Sequence, residues 1–277
     1  NMGTHLSIDE VALSQGELYT IVTNKKNKKK KGSLVAIVAG TKADQVIEHI
    51  SKIDYKKRSC VKEITLDMAN SMKLISKRCF PKAIQVTDRF HVQKLALEAL
   101  QEIRIKHRWQ AMDFENQLII QAKKENKTYI PELLPNGDSV KQLLARSRYV
   151  LYKSREKWTE NQNERAQMLF GLYPDIKTAY SLIQQLRGIY NNNNDKHIAM
   201  TKLAHWYRNV EESGFKNFNI LLNTITFNYH SILNYFDNRS TNASAESFNA
   251  KIKAFRSQFR GVRNVEFFLF RLTNIYA

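Results

Sequence analysis

The chain has 277 residues, enough for one elaborate domain or for a domain carrying a long insertion, and its 43% hydrophobic and 25% charged residues are a globular balance. No apolar run approaches the length of a membrane span, and no basic amphipathic anchor or lipidation signal points to a membrane surface. Lysine and arginine number 44 against 26 acids, a formal charge of +18 that favours polyanions, with nucleic acid first among them.

The chain opens Asn1-Met2-Gly3-Thr4-His5 with no signal-peptide hydrophobic region, as an excised fragment or a processed chain would. Leu6 to Leu13 reads as a strand interrupted by the acidic pair Asp9 and Glu10. Two adjacent acids oppose strand propensity, so they mark either a solvated edge or a metal site. Gly16 to Thr23 completes a β-hairpin, and Ser33 to Ala39 is a third strand. Between them, Lys25 to Lys31 holds six lysines in seven positions. Their repulsion predicts an extended, mobile tip, and Lys28, Lys29, Lys30 and Lys31 are candidate phosphate contacts. A helix is expected from about Thr41 to Ile53, with Val46, Ile47 and Ile50 on one side.

Cys60 and Cys79 are the only cysteines, too few for a disulfide scaffold and not spaced for zinc, and a reducing cytoplasm is the expected setting. Val61 to Leu66 alternates as a short strand and ends at Asp67, ahead of a helical run from Met68 to Phe80. An acid at the C-terminal end of a strand is either a helix cap or a ligand at the edge where parallel sheets bind. Ala83 to Asp88 is a further strand that again ends in an acid. Three strands, helix, strand, helix, strand is the ribonuclease-H-like order, an α/β fold with a mixed five-stranded sheet. In that topology the first and fourth strands lie side by side, which makes neighbours of Asp9 and Asp67 across 67 − 9 = 58 residues.

From His91 to about Tyr235 the apolar spacing is helical throughout, predicting an all-helical insertion of about five helices. Turns are expected at Ile130 to Gly137 and Asn191 to Asp195, and Trp109, Trp158 and Trp206 are expected in its core. The expected organisation is 1–92 for the first part of the catalytic domain, 93–236 for the insertion and 237–277 for the remainder. In the last stretch, Phe248, Ile252, Phe255 and Phe259 form one helical stripe, opposite Glu246, Asn249, Lys253, Arg256 and Arg260. Asp9, Asp67 and Glu246 together are three hard oxygen donors, the set that suits two Mg²⁺ or Mn²⁺ ions in phosphoryl displacement.

These residues carry a family resemblance. Ser7-Ile8-Asp9-Glu10, Thr65-Leu66-Asp67-Met68, Thr87-Asp88-Arg89-Phe90-His91-Val92 and Asn242 to Lys253 resemble the DDE transposases of bacterial insertion sequences, specifically the ISL-three-like group. The likeness runs from about Ser7 to Tyr276. It implies that Asp9, Asp67 and Glu246 are the catalytic and metal-binding acids. It further implies Mg²⁺-dependent hydrolysis at transposon ends, followed by attack of the freed 3′-hydroxyl on target DNA. An upstream end-binding region, usual in such families, has no counterpart in this sequence. Arg89, His91, Asn249, Lys253, Arg256 and Arg260 are expected to contact DNA, and a homodimer or higher assembly is expected on it. The alternatives are an inactive transposase-derived DNA-binding scaffold and a related metal-dependent nuclease or resolvase.

Overall fold

The computed structural model describes residues 2–13, 16–27, 30–258 and 264–277; Lys28, Lys29, Phe259 and Arg260 lie outside the described residues. Five strands form one mixed sheet: β1 (His5–Ala12), β2 (Leu18–Asn24), β3 (Leu34–Ala39), β4 (Glu63–Leu66) and β5 (Ile84–Thr87). Their spatial order is β3-β2-β1-β4-β5, with β1, β2 and β3 antiparallel and with β4 parallel to both β1 and β5. This is the ribonuclease-H-like arrangement that the order of elements implied.

The chain forms two compact units, one of residues 1–91, 194–196 and 224–277 and the other of residues 92–193 and 197–223. The first holds the sheet. Alternation along β1 sends Leu6 and Ile8 to one face, where they pack with Val22, Ile64 and Leu66 against α1 (Ala43–Ser51) and α3 (Asn70–Cys79) through Val46, Ile50, Met72 and Ile75. The opposite face carries Val11, Tyr19 and Ile21, covered by Phe248 and Ile252 of α11 (Ala243–Gln258) and by Phe268 and Leu272 of α12 (Val265–Tyr276). Burying a side chain the size of Phe248 stabilises by roughly 1.5–3 kcal/mol, so this apolar stripe holds α11 on the sheet. A short helix not expected from the sequence, α2 (Tyr55–Ser59), is capped by Asp54, which accepts from Lys56 N and Lys57 N.

The second unit is helical. Six helices occupy the stretch expected to hold about five: α4 (Arg89–Lys124), α5 (Val140–Tyr152), α6 (Glu160–Leu172), α7 (Pro174–Asn192), α8 (Lys196–Ser213) and α9 (Asn219–Leu233). Capping boxes at Ser139/Gln142 and Thr159/Gln162 start α5 and α6, and Pro174 opens α7. These local signals divide a continuous apolar periodicity more finely than the spacing alone does. Trp206 is fully buried with its indole N–H on the Leu182 carbonyl, and Trp158 stacks on Tyr180 at 5.4 Å. Trp109 departs from expectation and stands 59% exposed on α4, beyond the buried residues of that helix, which end at Arg104. No described helix is long and apolar enough to cross a membrane.

The lysine tip also differs from a uniformly solvated loop. Lys30 and Lys31 are exposed, but Lys25 turns inward in a short 3₁₀ turn and its ammonium reaches Glu63 Oε1 at 3.4 Å. Glu63 also accepts from Ser240 Oγ and, at 3.2 Å, from Asn238 Nδ2, tying β4 to the last residues of α10 (Tyr235–Asn238) and the segment before α11. Burial would raise the Glu63 carboxyl pKa, but these hydrogen bonds and the Lys25 charge outweigh it and hold it below its ordinary value of 4.5. Its contribution to stability is therefore present at neutral pH and is lost as pH falls below about 4.5 and through the lower folded value. Glu63→Ala strands a buried ammonium and is expected to cost about 3–5 kcal/mol in urea unfolding at pH 7. The deficit should shrink as the acid limb is approached; a constant deficit across pH would contradict this account.

Candidate active site

The acids singled out in the sequence arrive from three remote segments. The parallel ladder pairs His5 with Glu63, Leu6 with Ile64 and Ser7 with Thr65, a constant offset of 63 − 5 = 58 residues. Asp9 and Asp67 have the same offset and lie two residues beyond its last pair, Ser7 and Thr65, with Asp67 directly after the end of β4. Neighbouring strands lie about 4.8 Å apart, which brings the two acids onto adjacent strands at the carboxyl end of β4. Asp9 is still paired to Ile21 of β2, whose side chain sits in the core beneath α11. Asp9 consequently faces α11, the helix that carries Glu246.

Side-chain contacts agree with this placement. Asp9 Oδ1 accepts from the Glu10 amide at 2.9 Å and Oδ2 from Asn249 Nδ2 at 2.7 Å. Asp67 Oδ1 accepts from the Ala69 amide at 2.9 Å, closing a turn just ahead of α3, whose N-cap position is Ala69. Asp67 therefore acts as a turn former and not as the helix cap. Glu246 is exposed on the first turn of α11.

Electrostatics report the convergence. Burial, together with the charges of Asp67 and Glu246, pushes the Asp9 carboxyl up to about 6 against the pull of the Glu10 amide and His91. Glu246 is raised by burial and by Asp88, with His91 opposing; Glu10 is raised by burial and by Asp67. A patch where acids oppose one another's ionisation has the charge of a cation site and the oxygen chemistry that Mg²⁺ and Mn²⁺ take. The buried Asn249 Oδ1 beside it has no hydrogen-bond partner among the described residues. The donor types therefore fit a hard divalent ion. They do not form a closed cage: among the described residues no three His, Cys, Asp or Glu side chains are grouped so as to hold a metal.

A family model of the ISL3-type DDE transposases, described as transposase, matches residues 6–272. The chain belongs to this family. It is also similar to the transposase of insertion sequence element IS1001 from Bordetella parapertussis, 22% identical over 270 residues. That match takes in 97% of this chain and 60% of the relative, so the chain spans about three-fifths of the length of the transposase it matches.

In this transposase-family chain the remaining candidates fall into two groups. Lys30, Lys31 and Lys253 are exposed, as phosphate contacts require. Asn249 and Arg256 instead lie on the buried side of α11, only 7% and 6% exposed. The polar stripe expected there was drawn too wide, because α11 inserts its flank as well as its apolar face into the sheet. Arg256 is committed to Glu17, with Nη2 3.0 Å from Oε1, and packs its guanidinium over Phe268. Arg89 Nη1 reaches the Tyr235 hydroxyl at 3.3 Å, and His91 stands near Asp9 and Glu246. Asp88 is buried, accepts from the Phe90 amide at 3.3 Å at the start of α4, and lies close enough to Glu246 to raise it. Asn242 and Glu17 were not singled out from the sequence; the seven-residue spacing of Asn242, Asn249 and Arg256 is the signal that could have found the first.

Because the folded Asp9 pKa exceeds its ordinary 3.8, the carboxylate form costs folding stability. Any stability tied to its protonated form is complete below about 3.8 and lost as pH rises through about 6. Asp9→Asn should therefore stabilise the metal-free chain at pH 7.5 by on the order of 1–3 kcal/mol and have little effect at pH 4. Chemical denaturation at the two pH values checks this, and a pH-independent effect would contradict it.

Proposed function

We propose that this chain is the catalytic region of a DNA transposase, cutting a phosphodiester at an element's end and joining the freed 3′-hydroxyl to target DNA. The observation that supports the reading is that Asp9 lies close enough to both Asp67 and Glu246 for their charges to act on its carboxyl. Asp9, Asp67 and Glu246 would hold Mg²⁺ or Mn²⁺, two ions in the full arrangement, supplying activation of the attacking oxygen and charge stabilisation of the leaving one. The protein's own part is positional. β1 and β4 fix two carboxylates on a rigid sheet, and α11 delivers the third. Lys30, Lys31 and Lys253 offer exposed charge to flanking phosphates, and the net charge of +18 attracts DNA without reading its sequence. A homodimer or larger assembly, with both ends bound, is part of the proposal.

One competing reading, against which the three acids argue, is a DNA-binding scaffold without turnover. A nuclease or resolvase that cuts and never joins is the other. With Mn²⁺ and DNA carrying the element's ends, the chain should nick at those ends, and Asp67→Asn should lower nicking at least ~100-fold while leaving salt-sensitive DNA binding intact. Binding that persists without any wild-type nicking would support the scaffold; nicking without recovered strand-transfer product would support the nuclease.

A further inference from the structure

α11 meets the sheet and its flank through three polar contacts at residues 242, 249 and 256. Asn242 Nδ2, just before the helix, lies 3.5 Å from the Ile8 carbonyl oxygen. Asn249 Nδ2 donates to Asp9 Oδ2 at 2.7 Å, and Arg256 binds Glu17 through both Nε and Nη2 at 3.3 and 3.0 Å. Seven residues are close to two helical turns, so these positions run along one side of the helix. All three side chains are buried. The neighbouring apolar contacts of Phe248 and Ile252 are non-directional and tolerate sliding, whereas each polar contact has one acceptor and a narrow geometry. The polar contacts therefore set the register of α11 along β1.

The middle contact also bears on Asp9 itself. The charges of Asp67 and Glu246 oppose the Asp9 carboxylate, so a restraint is needed to keep it turned toward them. A lysine or arginine would restrain it and also neutralise it. An amide donates a hydrogen bond without adding charge, leaving the whole negative charge of Asp9 available to a cation. Asn249 is short and held in place by burial, and it sits one turn after Glu246, so it links two of the three acids through one helix.

We infer that Asn249 is a positioning residue: it fixes the orientation of the Asp9 carboxylate and, through α11, the placement of Glu246 against it. This inference rests on the proposed metal-dependent transposase site. Its test uses the 277-residue chain with Mn²⁺ as the probe, measuring binding by calorimetry and metal-free stability by thermal unfolding. Asn249→Leu keeps similar volume and removes the donor; Asn249→Ala removes both; Asp9→Asn is the control. The expected result is a Leu variant that stays fully folded without metal at the assay temperature, yet has Mn²⁺ affinity about 10–100-fold weaker, as for other groups that orient a metal ligand. Unchanged affinity in both Asn249 variants, while Asp9→Asn loses binding, would overturn the inference and leave the transposase reading standing. Affinity lost only in step with folding in both variants would assign a structural role and also overturn it. A wild-type chain that binds no Mn²⁺ would remove the site and the inference together.

Discussion

The parallel pairing of β1 with β4 is the constraint on which the site depends. Its register ends two residues before Asp9 and Asp67 and so brings them to the same end of the pairing although 58 residues separate them, with Asp9 turned toward α11. A slip of one residue would turn Ile64 and Leu66 away from the face packed against α1 and α3. Parallel strands cannot be joined by a tight turn, so the excursion through β2, β3, α1 and α2 provides the crossover that this register needs. At the other end of the same strand, the buried Glu63 draws in Lys25, Ser240 and Asn238, anchoring β4 to both the lysine turn and the chain entering α11.

Around that frame, stability and chemistry pull in opposite directions. The face beneath α11 is apolar at Val11, Tyr19 and Ile21, and replacing Asp9 with an aliphatic residue would continue it. Instead the sheet holds a carboxylate whose ionisation is opposed by burial and by two other acids. Such local violations of the strand pattern concentrate where function is carried and are compensated elsewhere. Here the compensation includes the Asn249 hydrogen bond, the Glu10 amide and the apolar packing of Phe248 and Ile252.

Much of this was legible in the sequence because the sheet is built from short alternating strands with clear punctuation. The acidic interruptions at Asp9 and Asp67 were conspicuous because they break that alternation at strand ends or where ladders diverge. Glu246 was harder, since an acid in the first turn of a helix equally complements the helix dipole. The inward turn of Lys25 was hidden inside a run of like charges, where nothing local distinguishes one lysine from the next. Asn249 and Arg256 were assigned to the polar face because helical periodicity fixes an angle but not how deeply the helix sits. Only Asp9 and Glu17, more than two hundred residues earlier, show that their flank is buried. The six helices from α4 to α9 were blurred into about five because the amphipathic pattern runs through the capping residues that end one helix and start another.

The central claim is that Asp9, Asp67 and Glu246 form one shared cation site. Localised oxidative cleavage tests it most directly: Fe²⁺ is substituted at the site, ascorbate and peroxide are added, and the backbone cuts are mapped by mass spectrometry. The account predicts cuts clustered beside residues 9, 67 and 246 and suppressed by excess Mn²⁺. Cuts confined to one of these segments, or gathered elsewhere in the chain, would contradict it.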